Sequence, residues 1–367
     1  MSFSKNNAAA RAAGIILATL SAEASAQGSV TLYGELDSGL AYVSNVGGHT
    51  QYRTTSGLID GSYWGLTGSE DLGGGLNAVF QLERGFSVTT GEAFVDHPTW
   101  VGLESDRFGQ LTFGYQYDAI HDYFQRFTLT GGNGGTAFAH PFDNDNANNS
   151  YLAANSIKYA SPAVGGFSFG GLYAFSNGAG FAQNRAYSIG ANYSMGSFNA
   201  GAAWLHNNGR GAGDSGAYDP MTLPGADGTL VGATVARQDT IGVGASYELG
   251  NVTLAGAWSR SINGGVADAD SGAPLASIAF SNYEANATWQ LTPALSLAGM
   301  YVYTNASNAH WHSGAVQGVY QLSKRTDVYA QALYQRASSG ASAVISTNDP
   351  SSGRNQLMVA TGIRHRF

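Results

Sequence analysis

The chain has 367 residues, 51 of them glycine and none cysteine, and only 11% are charged, against roughly 25% in an ordinary soluble domain. A formal charge of −8 excludes a nucleic-acid partner, which needs a Lys/Arg surplus, and the lack of cysteine excludes a disulfide framework, thiol catalysis and cysteine-based zinc sites. Past the N-terminus there is no run of about 18 apolar residues, so helical membrane spans are excluded, and an aromatic content of 12% argues against disorder.

Lys5 and Arg11 make a positive start, residues 12–20 form a short apolar stretch, and Ala24-Ser25-Ala26 is a small-x-small cleavage signal. This spacing predicts a secretory signal peptide over residues 1–26, removed on export; the competing reading is a buried N-terminal helix. Residues 27–367 are then one domain. Cleavage removes Lys5, Arg11 and Glu23, which leaves 15 basic and 24 acidic residues and a net charge of −9.

The mature chain reads as a series of strands with period-two alternation. The first five cover residues 29–43, 57–70, 75–87, 95–105 and 109–117, with short turns at 71–75 and 105–109 and a long polar connection near 44–56. The longest connection follows, over 118–154, with Gly131-Gly132, Gly134-Gly135 and the cluster Asp143-Asn144-Asp145-Asn146. Strands resume at 155–162, 166–176, 184–195, 197–208, 238–249 and 251–263. The last five are 281–291, 295–304, 313–323, 326–337 and 355–367. Alternation is clearest where Tyr283, Ala285, Ala287, Trp289 and Leu291 interleave with Asn282, Glu284, Asn286, Thr288 and Gln290.

Sixteen strands of about ten residues, with tight turns at one end and long Gly-rich loops at the other, predict an antiparallel transmembrane β-barrel with short periplasmic turns and long outer loops. Closure follows from the solvent: in lipid every backbone N–H and C=O needs a partner, and a closed barrel has no edge. A soluble β-sandwich or β-helix of this size would carry more surface charge. Tyr33, Trp64, Trp204, Trp258, Trp289, Tyr301 and Tyr334 are suited to interfacial aromatic girdles. The loop at 118–154 is too long for a simple cap; it either folds into the barrel and narrows it or projects outward.

A pore acts through its radius and the fixed charges at its narrowest ring. Alternation with Trp64 and Leu66 turns Tyr63 and Thr67 inward, and Lys158 points inward between Ile157 and Tyr159. Glu35, Asp37 and Glu83 share the inward parity of their strands, and Asp118, Asp122, Asp143 and Asp145 of the long loop can oppose them. Asp143, Asp145 and Lys158 are the leading constriction candidates. The alternative for each acid is a solvated loop residue, and for Lys158 a wall position away from the narrowest ring. Glu35 and Asp37, two residues apart, are a weak pattern for a divalent cation. The eight histidines are scattered, and no GxSxG elbow or HExxH pair occurs, so no catalytic residue, metal or cofactor is assigned. A purely structural barrel or adhesin would need a plugged lumen, whereas sixteen strands leave room for an aqueous channel.

Several blocks resemble the Gram-negative general porins of the Burkholderia–Neisseria type. They are Ser29-Val30-Thr31-Leu32-Tyr33-Gly34 with Asp37, WGLTGSEDLGGGLNAVFQLERGF over 64–86, VGLESDRFGQLTFGYQYD over 101–118, NSIKYASP over 155–162 and the terminal Arg364-His365-Arg366-Phe367. The resemblance implies a homotrimer of sixteen-stranded barrels in the Gram-negative outer membrane, reached through the periplasm. Each barrel would hold a water-filled pore constricted by an inward-folded third loop. Ions and small hydrophilic solutes would pass by diffusion without a cofactor. It further implies contact with outer-membrane lipid and lipopolysaccharide, and it makes Phe367 the C-terminal aromatic read by the outer-membrane assembly machinery. The chain departs from the family where arginines are usual: Tyr63 and Thr67 flank the Trp-Gly-Leu block, Tyr115 stands in the Gly-x-Gln-Tyr-Asp pattern, His97 lies on the fourth strand and Leu152 precedes Asn155. With these arginines missing and a charge of −9, the expected pore is cation-preferring or near neutral; the alternative is a channel selective for one small polar solute.

Overall fold

The computed structural model describes residues 28–94, 96–179, 185–208, 221–224, 230–307 and 309–367. The signal peptide expected over 1–26 lies outside the described residues. Sixteen barrel strands follow in chain order. The first half comprises β1 (Ser29–Val46), β2 in two pieces (His49–Ser56 and Tyr63–Gly73), β3 (Leu76–Phe86), β4 in two pieces (Ala93–Phe94 and Thr99–Ser105), β5 (Gly109–Gln116), β6 (Ala153–Ala160), β7 (Phe167–Ala174) and β8 (Arg185–Met195). The second half comprises β9 (Phe198–Asn208), β10 (Arg237–Leu249), β11 (Val252–Gly264), β12 (Ile278–Gln290), β13 (Leu295–Ala306), β14 (Ala309–Gln321), β15 (Thr326–Ala337) and β16 (Asn355–Arg366).

Each strand pairs antiparallel with its chain neighbours. β1 closes the barrel. One edge pairs with β16 from Glu35↔Arg366 to Val43↔Met358, and the other takes both pieces of β2. Phe367 extends the seam, since its backbone and that of Gly34 bond in both directions at 3.3 and 3.1 Å. The backbone is thereby satisfied around the ring, which lipid requires.

Two local readings are corrected. The stretch near 44–56 is not a polar connection: Gly47 and Gly48 take positive φ and turn β1 back into His49–Ser56. Tyr33 does not sit in an outer girdle, because it pairs with Gly65 two positions from Glu35 and its hydroxyl donates to the inward Glu83. Trp64, Trp289, Tyr301 and Tyr334 do lie exposed on the outer face.

The two faces separate residue by residue. On β14 His310, His312, Val316 and Tyr320 are exposed, while Trp311, Ser313, Ala315 and Gln317 are buried. The buried side is the lumen, and its packing partner is the connection between β5 and β6. This connection folds inside the barrel as α1 (Ala119–Tyr123) and a chain of short helical turns. Ile120, Tyr123, Phe124 and Phe127 pack on Leu172, Ala186 and Leu205 of the wall. Further on, Leu129 and Phe138 pack among Met300, Val302, Leu333 and Met358.

Candidate functional site

Asp118 starts the inner loop by capping α1: its carboxylate accepts from Ile120 N at 2.5 Å and from the Asn146 amide at 2.7 Å. That second bond ties the outgoing limb to the returning one. The wall has been emptied to receive the loop. A Cβ on Gly190 would strike Tyr123, one on Gly242 would strike Phe124 and one on Gly244 would strike Phe127. Glycine at these lumenal positions lets the rings lie against bare backbone.

Beyond α1 the loop follows the inner wall and is pinned at each step. Leu129 N donates to Glu284 of β12 at 2.6 Å. Gly134 O accepts from Gln317 of β14 at 3.1 Å and Gln331 of β15 at 2.9 Å. Thr136 N donates to Leu58 O in the break of β2 at 3.0 Å. Asp37 holds that break in place, accepting from Ile59 N at 2.7 Å and from the Tyr329 hydroxyl at 2.6 Å.

The returning limb carries a buried ionic clamp. His140 sits between Asp145 at 2.8 Å and Glu284 at 3.0 Å, and all three side chains are shut off from water. Ser259 and Asn282 of the wall also donate to Asp145. Burial opposes charge on His140, but the two carboxylates outweigh it and push the imidazole up to about 10. The same imidazolium holds Asp145 below the usual carboxylate range in spite of its burial. Burial, reinforced by Asp145, pushes Asp143 up to about 7, and burial pushes Asp118 up to about 6.

The expected site residues therefore divide. Asp118, Asp143 and Asp145, placed by sequence at the constriction, are buried. Asp143 caps its own turn, accepting from Asn148 N at 2.9 Å and from Ser150 N and Oγ at 3.1 and 2.6 Å. These three acids fasten the loop instead of facing open water. Glu35 is also buried, in a four-membered cluster with Asp327, Arg364 and Arg366.

Partly exposed polar side chains remain in the sector of β2–β6 beside the root of the loop. Here Lys158 pairs with Asp122 at 2.5 Å and donates to Tyr117 O at 3.0 Å, and both charged side chains are partly exposed. Lys158 outweighs burial and keeps Asp122 below its ordinary range. Glu83 accepts from the Tyr33 hydroxyl and the Gln81 amide, each at 2.6 Å. Tyr63 and Thr67 lie on the same inward face, paired with Glu35 and Thr31. Phe367 lies elsewhere, its exposed ring over Gly34 on the outer surface.

Sequence reasoning missed His140 and Glu284. Nothing local marks them, because 144 residues separate the two ends of the bond. It also missed Asp60, exposed in the break of β2, and the ring contact between Tyr63 and His97, whose centroids are 4.9 Å apart. Asp96 holds His97 at 2.9 Å and keeps it above its ordinary value despite burial.

The profile of the Gram-negative porins matches residues 9–340. An outer membrane porin protein of Bordetella pertussis is 36% identical over 183 residues, 45% of this chain and 47% of that protein. The chain spans about half the length of the curated relatives it matches. These relatives are porins, channel proteins and not enzymes. Among solved structures, an anion-selective porin from Comamonas acidovorans superposes with a TM-score of 0.74 at 23% identity, covering 93% of this chain and all of that one. A Vibrio cholerae outer membrane protein in trimer form gives 0.63 at 15% identity, covering 93% and 99%. Both are likenesses of fold.

Proposed function

The chain belongs to the Gram-negative porin family, and on that premise we propose that it is a passive diffusion channel, cation-preferring or nearly neutral, for ions and small hydrophilic solutes. Its place is the Gram-negative outer membrane. The charge balance of the lumen supports the selectivity. Glu35 and Asp327 are matched by Arg364 and Arg366, and Asp122 by Lys158; Glu83 and the exposed Asp60 are in no ion pair among the described residues, nor is the exposed Arg126 of the inner loop, which leaves two acids against one base. Uncompensated carboxylates beside a narrow water path raise the local cation concentration. Reversal potentials across a planar bilayer in a salt gradient test this: a cation-positive or near-zero preference is expected, and a clear chloride preference overturns it.

Wall height supports a homotrimer. β4 has a seven-residue lower piece and β5, β6 and β7 have eight residues each, which at about 3.3 Å per residue and a tilt of about 40° reach roughly 20 Å. The lipid-facing band of such barrels is about 25 Å tall, whereas β10, β11, β12 and β14 have thirteen residues each and clear it. In this reading the short sector is covered by neighbouring subunits and the tall sector meets lipid and lipopolysaccharide. Phe367, at the end of the closing strand, is the residue offered to the outer-membrane assembly machinery. Unheated gel mobility tests the trimer; migration only as a monomer in several mild detergents overturns it.

A further inference from the structure

Among the described residues, the water-lined sector is unusual for the aromatic rings it gathers. Tyr33 and Tyr63 meet edge to face with centroids 6.1 Å apart, and Tyr63 continues onto His97 at 4.9 Å. At the root of the inner loop Tyr117 and His121 stack at 4.0 Å, with only 9° between their planes. Thr99 of β4 pairs with Tyr115 of β5, so His97 and Tyr117 lie two positions beyond that pair on adjoining strands and bring the two groups of rings together. Burial, with the charges of Glu83, Asp60 and Asp96, holds the Tyr117 phenol in the neutral form. Tyr63, Tyr117 and His121 are half-exposed. The hydroxyls of Tyr63 and Tyr117 make no hydrogen bond among the described residues, while Tyr33 is held by Glu83 and Gln81.

Rings packed this way are usually buried, where they contribute apolar area. Here Tyr33, Tyr63, Tyr117 and His121 stay partly open, with His97 buried behind Tyr63, and charged or amide groups stand nearby: Glu83, Gln81 and the Asp122–Lys158 pair. The combination of an apolar ring face with hydrogen-bonding groups around its rim matches a pyranose, which has an apolar C–H face and a rim of hydroxyls. A small anion gains nothing from such faces, and a simple cation would be drawn to the acids without needing five rings.

We propose that Tyr33 and Tyr63, backed by the buried His97, together with Tyr117 and His121, form a stacking track that takes neutral sugars one pyranose at a time through the narrow part of the pore. This rests on the channel reading above and specifies its solute class. Stacking against the rings offsets part of the cost of stripping water from the sugar in the constriction, and the rim acids and amide replace its hydrogen bonds. Binding stays weak enough for release, as conduction requires.

The test is ion current through the full-length protein in a planar bilayer, titrated with maltose and maltotriose, each current normalised to the same channel without sugar. Concentration-dependent interruptions of the current are expected, with half-blocking concentrations at least tenfold higher for Tyr63→Ala and Tyr117→Ala. Tyr63→Phe, which keeps the ring, should remain within about threefold of the wild type. Loss of current caused only by solution viscosity, alike in all variants, overturns the proposal and leaves the channel reading standing. A protein that conducts no ions at all overturns the channel reading itself.

Discussion

His140 Nε2 lies 3.0 Å from the Glu284 carboxylate, so one imidazole joins the returning limb of the inner loop to strand β12. The other ring nitrogen is taken by Asp145 at 2.8 Å, and removing the imidazole strands two carboxylates away from water. Breaking a buried ionic contact from one side typically costs about 3–5 kcal/mol. His140→Leu is therefore expected to unseat the loop more than the barrel. Single-channel conductance should rise, and limited proteolysis should cut within 117–152 while the strands stay protected. Wild-type conductance together with a wild-type digestion pattern would show that the clamp does not set the loop.

The clamp also makes loop seating pH-dependent, with a definite sign. His140 is raised from 6.5 to about 10, so its contribution is fully present below 6.5 and is lost as pH rises through 10. Asp143, raised from 3.8 to about 7, and Asp118, raised to about 6, act in the same direction within a lower window. Asp145, held below 3.8, acts in the opposite sense and contributes only while ionised, so its share is lost in strong acid. The loop should be seated most firmly just above the ordinary carboxylate range and loosen stepwise towards pH 10. Conductance of the wild type should climb between pH 7 and 10. In His140→Leu the climb should be flattened, because the group that titrates there is gone.

Glycine on the lumenal wall gives a steric test that involves no charge. A side chain at Gly242 meets the Phe124 ring and one at Gly244 meets Phe127. Overpacking of this kind costs about 1–3 kcal/mol. Gly242→Val is expected to push α1 and the following turn towards the water path. Conductance should fall and thermal unfolding should come earlier, with barrel assembly retained. Gly314, where an added Cβ would meet nothing within 4 Å, serves as the control position; an equal effect of Gly314→Ala and Gly242→Val on conductance would exclude the steric account.

Strand number, the alternation of faces and the tight turns could all be read from the sequence, because a strand facing lipid on one side and water on the other repeats every two residues. The inward parity of Tyr63 and Glu83 follows from the same rule. Parity says which face a side chain takes but not what covers it. Asp143 and Asp145 lie in a polar, Gly-rich loop and read as constriction acids, yet they are buried because the loop turns inward: Asp143 is enclosed by its own turn, and Asp145 meets His140 and a wall serine 114 positions away. Tyr33 misled for a related reason: a tyrosine near a strand end suits either an interface girdle or a lumen, and only its bond to Glu83 decides. The break in β2 at residues 57–62 had no local signal beyond Gly57 and Gly61, since it forms where Asp37 gathers the turn and the inner loop presses against Leu58.

Lys158 and Asp122 pair at the loop root, 2.5 Å apart and both partly exposed, and His121 meets the other carboxylate oxygen at 2.9 Å. Each charge masks the other, so removing one should unmask the one left behind. Lys158→Met leaves Asp122 with its His121 contact but without the ammonium charge, and the pore should become more cation-preferring. Asp122→Asn leaves the lysine and should shift preference towards anions. A single charge about 4 Å from a passing ion is worth about 1 kcal/mol in water, so the cation-to-anion permeability ratio should change by about two- to fivefold in each direction. The double variant should return close to the wild type. High salt should shrink both shifts, because the pair is wet enough to be screened. If the two single variants move the reversal potential in the same direction, the pair does not act through its charge. If neither moves it, the selectivity-determining ring lies elsewhere along the lumen.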